Sequence, residues 1–251
     1  MISVSTRPSV EIVGRSRALP GSGGPAKRAV VFGVTGLVGS HVATELLSRG
    51  FAVTGVARSK RGFERRDDLA LVRGSLYDPA FVFAVTAECD VIVVAVPAVG
   101  RETPRCGPPF ENLGNAVPLI LAAAENAEAR VAVVGGAGGL SLAKSAPVVL
   151  YDPALPGVYV EEAVAHADVF AALDSTPAVE DWFYMNPAVP FRDRLGESRI
   201  SEPLSYEEIR SRNRTGRTVY SVGAFAQRFV DEIVFPQTSR AKVTVGHPRT
   251  R

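Results

Sequence analysis

Short apolar runs recur through the first half of the chain, and most of them are followed by a stretch with helical periodicity. The apolar runs predict five strands, at residues 29–32, 51–57, 69–72, 91–96 and 130–134. The intervening stretches predict helices, and one of these covers residues 113–127 despite Pro118. Such alternation of strand and helix indicates an α/β fold with a doubly wound parallel sheet and right-handed crossovers.

The pattern loosens after residue 140, but regular elements are still predicted there. They are a helix at 160–173, a strand at 181–185, an amphipathic helix at 222–234 and a short strand at 242–245. In the strand, Trp182 and Tyr184 fall on one face, and Phe183 and Met185 fall on the other. We expect residues 141–245 to contribute a small C-terminal lobe on the substrate side of the domain.

The N-terminal segment differs from the rest of the chain in composition. Residues 1–26 mix polar and apolar positions and end in a stretch rich in glycine and proline. This composition predicts a flexible extension. Residues 27–251 then form a single domain, which is within the usual size range.

A glycine-rich turn links the first predicted strand to the first predicted helix. Gly33 permits a tight turn, Gly36 lets a pyrophosphate approach the backbone, and Gly39 lets the helix pack closely on the strand. The free N–H groups and the positive dipole end of a helix favour phosphate. The motif therefore predicts a dinucleotide site formed by Gly33, Thr35, Gly36, Leu37, Val38 and Gly39. A glycine-rich turn without a ligand is the alternative.

A basic cluster follows the second predicted strand. Arg58 stands at the strand end, and Ser59, Lys60 and Arg61 come directly after it. Sites that prefer NAD carry an acidic residue here, which binds the ribose 2′-hydroxyl. An arginine can instead form a paired contact with a 2′-phosphate. The cluster therefore favours NADP(H) over NAD(H), with Arg58, Ser59 and Arg61 as contacts, and a solvated basic loop is the alternative.

Composition narrows the range of partners and compartments. The formal net charge of +2 gives no reason to expect a nucleic-acid partner. No apolar run is long enough to span a membrane, and no signal-peptide pattern follows Met1, so we expect a cytoplasmic protein. Cys89 and Cys106 form neither a disulfide framework nor a metal-binding pattern, and we expect no metal.

These motifs together resemble the atypical short-chain dehydrogenases/reductases, specifically the NmrA-like, NAD(P)H-binding branch. The resemblance rests on Gly33 to Gly39, on Arg58, on residues 133–138 and on residues 184–187. It implies a Rossmann-type sheet and a cofactor that lies along the carboxyl ends of the strands. The further cofactor contacts that it implies are Ser75, Leu76, Val96, Pro97, Gly135, Gly136, Asn186 and Pro187.

The sequence departs from that family at its usual acid/base motif. Standard members carry Tyr-x-x-x-Lys, in which the lysine lowers the pKa of the tyrosine. None of the four lysines here follows a tyrosine at that spacing. Either another group transfers the proton, or no hydride chemistry occurs.

The predicted helix at 160–173 offers a different set of polar residues. Tyr159, Glu162 and His166 share one face if the helix begins by Tyr159. We expect Tyr159 and His166 as the catalytic pair, with Glu162 orienting the imidazole and a water or the substrate linking the pair. A polar outer face of an ordinary helix is the alternative.

The sequence thus predicts an NADPH-dependent oxidoreductase that acts on a small organic carbonyl or enone. A cofactor-binding sensor without turnover and a cofactor-assisted isomerase or cyclase are the alternatives. We expect a small-molecule substrate, no nucleic acid, no membrane, and a monomer or homodimer.

Overall fold

The computed structural model describes residues 26–59, 69–99, 112–136, 157–176, 179–187, 202–203 and 221–246. The strands are β1 Arg28–Phe32, β2 Ala52–Ala57, β3 Leu69–Arg73, β4 Val91–Val94, β5 Arg130–Val134, β6 Trp182–Pro187, β7 Glu202–Pro203 and β8 Ala241–Gly246. The helices are α1 Leu37–Ser48, α2 Pro79–Thr86, α3 Leu113–Ala127, α4 Gly157–Ser175 and α5 Val222–Val234.

The described strands form a single sheet in the order β3-β2-β1-β4-β5-β6-β8-β7. β1 to β6 and β8 are parallel, and the two-residue β7 pairs antiparallel with β8. The predicted doubly wound parallel sheet is therefore confirmed. All residues of β4 and β5 are buried, which explains why both strands are continuous apolar runs.

Helices cover both faces of the sheet and produce two cores. One core contains residues of α2, α3 and α4, including Val82, Leu121 and Val169. The other contains residues of α1 and α5, including Leu46 and Phe229. The face alternation predicted for β6 is confirmed: Trp182 and Tyr184 lie in the first core, and Phe183 and Met185 lie in the second.

Local signals at the helix ends agree with the structure. Asp78 caps α2 by accepting a hydrogen bond from the Phe81 backbone N–H, and Pro79 is the first helical residue. Gly50 follows α1 with a φ of +84°, a left-handed conformation that favours glycine. The predicted bounds of α3 and α5 coincide with the observed ones.

Two predicted strand ends are wrong by two residues. β4 ends at Val94 rather than at residue 96, because the chain bends away once the Ala95 N–H has bonded to the Phe32 carbonyl oxygen. β6 continues through Asn186 and Pro187 instead of ending before them, since both remain paired with β8. The predicted N-terminal extension lies outside the described residues, apart from residue 26.

Candidate functional site

The carboxyl edge of the sheet opens at the position where the strand order reverses. From β1 the chain proceeds outward to β2 and β3 and then returns to place β4 on the other side of β1. The connections that leave β1 and β4 therefore diverge, and they leave a crevice that Gly33 and Ala95 line. Doubly wound sheets bind their ligands at this position.

The three glycines of the turn have different surroundings. At Gly33, φ is +84° and a Cβ would lie 2.3 Å from the Ala95 carbonyl oxygen. At Gly39, a Cβ would lie 2.2 Å from the Gly33 carbonyl oxygen, so the helix packs directly on the turn. Gly36 is exposed, and a Cβ there would have only one close contact, at 3.2 Å from the Gly33 oxygen. Close packing of the backbone therefore requires glycine at Gly33 and Gly39, whereas Gly36 leaves open space for a ligand.

Gly36 is also the N-cap residue of α1. Its φ of −79° and ψ of 165° are extended, and it supplies no side-chain cap. The first N–H groups of a helix have no acceptor within the helix. With no capping side chain in the way, these donors and the positive end of the dipole suit an anion.

A cavity of about 270 Å³ begins at this turn and extends toward the ends of β2 and β3. Its lining combines backbone of the glycine turn with one cationic side chain, Arg58, and a few hydroxyl groups. The lining residues are Phe32, Gly33, Thr35, Gly36, Val56, Ala57, Arg58, Gly74, Ser75, Leu76, Tyr77, Ala95, Val96 and Pro97.

Most of the predicted cofactor residues from the first four strands meet in this cavity. They are Gly33, Thr35, Gly36, Arg58, Ser75, Leu76, Val96 and Pro97. Leu37 is exposed beside the turn, Val38 packs against a core, and Gly39 is buried under the turn. Ser59 follows Arg58 outside the lining, and Arg61 lies outside the described residues.

Tyr77 lines the cavity but was not predicted as a site residue. It belongs to the turn after β3, where Ser75 Oγ accepts a hydrogen bond from the Tyr77 backbone N–H. A signal was present in the sequence, because the turn ends at the Asp78–Pro79 helix start and brings the preceding residues to the carboxyl edge.

The other predicted cofactor residues lie at the ends of β5 and β6, outside the cavity lining. Asn186 is fully buried, and neither polar atom of its amide has a hydrogen-bond partner within the part of the chain that the structure describes. A Cβ on Gly135 would lie 2.1 Å from Asn186 Oδ1, so the amide packs directly on the Gly135 backbone. Gly136 lies in the same relation to His166, and Pro187 is the last residue of β6.

Glu162, His166 and Tyr184 form a hydrogen-bonded network near these glycines. His166 is buried, and its Nδ1 lies 2.7 Å from the Tyr184 hydroxyl oxygen. Its Nε2 lies 3.4 Å from Glu162 Oε1. The Glu162 carboxylate also accepts hydrogen bonds from the backbone N–H groups of Ala98, at 2.7 Å, and Val99, at 3.0 Å. The network thus joins α4 to β6 and to the connection after β4.

The protonation states of the two outer groups follow from these contacts. Burial disfavours the Glu162 anion, but the hydrogen bonds from His166, Ala98 and Val99 outweigh burial and lower its pKa. Burial raises the pKa of Tyr184 well above its usual value, although a hydrogen bond from the Gly136 backbone opposes the rise. Glu162 is therefore an anion and Tyr184 a neutral hydroxyl at neutral pH.

The geometry of His166 contradicts one of the two sequence expectations. A polar outer helix face is wrong for this residue, because its side chain is only 5% exposed. Its hydrogen-bond partner is Tyr184 of β6, which the sequence did not pair with it. Tyr159 lies in the first turn of α4, and its side chain is outside the described part of the structure.

Lys242 approaches the same tyrosine from β8. Its Nζ lies 6.0 Å from the centre of the Tyr184 ring and 5.0 Å from that of Phe170. Burial lowers the pKa of Lys242 to about 8. The lysine thus lies over the aromatic faces, in an arrangement different from the Tyr-x-x-x-Lys motif.

The strand order, the glycine turn and the cavity define the class of this protein: it has a Rossmann-type dinucleotide-binding domain. The NAD(P)H-binding family matches residues 33–198, and the chain belongs to this family. The NAD(P)H-binding family that the sequence resemblance implied is thereby confirmed.

Individual relatives span nearly the same length. The uncharacterised YwnB of Bacillus subtilis (strain 168) is 27% identical over 221 residues, which are 86% of this chain and 96% of YwnB. SP1627 of Streptococcus pneumoniae TIGR4, a proposed NADH-flavin reductase, has a TM-score of 0.69 at 20% identity, over 89% of this chain and 100% of its own. A short-chain dehydrogenase/reductase (wide type) of Veillonella parvula DSM 2008 in complex with NADP has a TM-score of 0.63 at 15% identity, over 89% of this chain and 96% of its own.

Among the helices of the described residues, none combines the length and the apolar character that a membrane crossing requires.

Proposed function

We propose that this protein is an NADPH-dependent oxidoreductase acting on a small organic carbonyl or enone. The observation that carries the proposal is the position of Arg58, which lines the same cavity as the glycine turn. An exposed guanidinium at the end of β2 suits the 2′-phosphate of NADP(H), and no carboxylate is next to it in the sequence to bind a 2′-hydroxyl. The cofactor, when bound, supplies hydride from its nicotinamide.

Each part of the cavity has a role in holding the cofactor. Gly36 and the first turn of α1 bind the pyrophosphate through backbone N–H groups. Arg58 and Ser75 flank the adenosine end. Val96 and Pro97 lie where the dinucleotide crosses from β1 to β4.

Cofactor choice is tested by titration with NADPH and NADH. The parent protein should bind NADPH more tightly than NADH. Arg58→Ala should weaken NADPH binding by about 1.5–3 kcal/mol, the range for hydrogen bonds to charged groups, and leave NADH binding little changed. Arg73→Ala is the matched control, because Arg73 is exposed at the end of β3 but does not line the cavity. Equal affinity of the parent for both cofactors would refute the preference.

The buried network supports a second candidate, a cofactor-binding sensor without turnover. His166 and Tyr184 are hydrogen-bonded to each other and buried, so neither presents a proton to the crevice. Catalysis then requires Tyr159 or water as the proton donor. Steady consumption of NADPH with a panel of carbonyls and enones supports the oxidoreductase, and tight NADPH binding without consumption supports the sensor.

The proton donor is tested in the same assay. If Tyr159 supplies the proton, Tyr159→Phe should lower turnover and leave the NADPH dissociation constant unchanged. Full activity of the variant would leave water as the donor.

A further inference from the structure

We propose that Glu162, His166 and Tyr184 are positioning residues for the nicotinamide half of the cofactor. The inference rests on the proposed function, because it assumes that a dinucleotide lies along the carboxyl edge. Its basis is the position of the network: the three side chains bind backbone groups of the connections after β4 and β5 and line no part of the cavity.

The first attachment holds the connection after β4. Glu162 accepts hydrogen bonds from the N–H groups of Ala98 and Val99, which directly follow the cavity residues Val96 and Pro97. A carboxylate that receives two backbone donors fixes both of their positions. The course of the chain beyond Pro97 is thus set by a side chain from α4.

The second attachment holds the connection after β5. A Cβ on Gly136 would lie 2.5 Å from His166 Cδ2, so the imidazole packs directly on the backbone. A Cβ on Gly135 would lie 2.5 Å from Tyr184 Cε1, so the phenol ring packs on the same stretch of backbone. The Tyr184 hydroxyl lies 2.7 Å from His166 Nδ1 and donates to the His166 carbonyl oxygen at 3.3 Å, and the opposite ring nitrogen, Nε2, faces Glu162.

The two attached connections lie on one side of the crevice. A dinucleotide bound to a doubly wound sheet spans the crevice. One half lies over β2 and β3, and the other half lies over β4 and β5. The adenine side here is formed by Arg58, Ser75 and Tyr77, which line the cavity, whereas the three network residues do not. Loss of the network should therefore weaken the nicotinamide half of the interaction selectively.

The test compares the whole cofactor with a fragment that lacks the nicotinamide. Dissociation constants for NADPH and for adenosine 2′,5′-bisphosphate are measured by calorimetry for the parent, Glu162→Gln and Tyr184→Phe. Both variants should weaken NADPH by about tenfold, the effect of losing one hydrogen bond to a charged or buried group. The fragment should change by less than about twofold. Glu161→Gln is the matched control, since Glu161 is exposed one residue away on α4.

The ratio of the two dissociation constants is the decisive quantity. Partial unfolding of a variant lowers both apparent affinities by the same factor and leaves the ratio unchanged. A ratio in both variants equal to that of the parent would overturn the inference. Failure of the parent to bind either NADPH or the fragment would instead overturn the proposed function.

Discussion

At the scale of single residues, Gly36 and Gly39 belong to one motif but serve different purposes. A Cβ on Gly39 would overlap the Gly33 carbonyl oxygen, which is a backbone atom and cannot move aside cheaply. Gly36 has an extended backbone that any residue adopts, and it faces the cavity. Substitutions at the two positions should therefore separate folding from cofactor binding.

We expect Gly39→Ala to lower the free energy of unfolding by about 1–3 kcal/mol, the usual cost of forcing an extra methyl group into a packed site. Gly36→Val should fold but lose cofactor affinity, because its branched side chain occupies the space of the pyrophosphate. Urea denaturation and NADPH titration of both variants measure the two effects. A folded Gly36→Val protein with unchanged affinity would exclude the turn from the site.

At the scale of elements, a buried carboxylate fixes the segment between α5 and β8. Glu232 is fully buried and accepts hydrogen bonds from the Gln237 N–H and from the Thr238 N–H and hydroxyl. The guanidinium groups of Arg130 and Arg228 each lie 3.4 Å from its oxygens. This cluster joins the start of β5 to the chain that leads into β8, far from the crevice along the strands.

Removal of this carboxylate should be costly. Glu232→Ala leaves the part-buried donors of Gln237 and Thr238 without their acceptor and removes a carboxylate from beside the buried Arg130 guanidinium, and we expect a loss of about 3–5 kcal/mol. Thr238→Val removes one hydroxyl donor and should cost about 1 kcal/mol. Chemical denaturation of both variants measures the difference, and equal losses would contradict the central role of the carboxylate.

The same carboxylate predicts a dependence of stability on pH. Burial opposes ionisation of Glu232, but the hydrogen bonds from Gln237 and Thr238 and the charge of Arg228 outweigh burial, so its pKa in the folded protein is lowered. A lowered pKa contributes stability that is complete above the pKa of the unfolded chain and is lost as the pH falls through the folded value. Glu232→Gln should therefore be less stable than the parent at pH 7 and should lose less further stability in acid. Denaturation of both proteins at several pH values between about 3 and 7 measures the two losses.

At the scale of the whole molecule, one sheet carries both the cofactor crevice and the elements that follow residue 140. α4 and β6 supply the buried network, whereas α5 packs beside α1 and β8 extends the sheet beyond β6. We therefore expect cofactor binding to stabilise the backbone at the carboxyl edge and not throughout the fold. Amide hydrogen exchange is the measurement that distinguishes these outcomes.

We expect NADPH to slow exchange in residues 33–37, 74–77 and 95–99 and to leave α5 and β8 unchanged. The expected protection follows the binding free energy, about 2.7 kcal/mol at a ligand concentration one hundred times the dissociation constant. Uniform protection across the sheet would contradict a site confined to this edge.

The sequence by itself determined the alternation of strand and helix, the glycine turn and Arg58. These features depend on local spacing and on neighbouring residues, so the turn could be assigned before its tertiary contacts were known. The same local logic predicted the Asp78 cap and the two faces of β6, because periodicity records which side of an element is buried.

Only the tertiary structure decided the partners of His166. It is four residues from Glu162 on one helix, which the sequence reveals, but Tyr184 reaches it from a strand and Ala98 reaches Glu162 from a connection 64 residues away. Such contacts depend on strand order, and no local pattern encodes which strand lies beside which helix. For the same reason the sequence associated His166 with Tyr159 on its own helix, whereas packing of α4 against the sheet turned the imidazole toward β6.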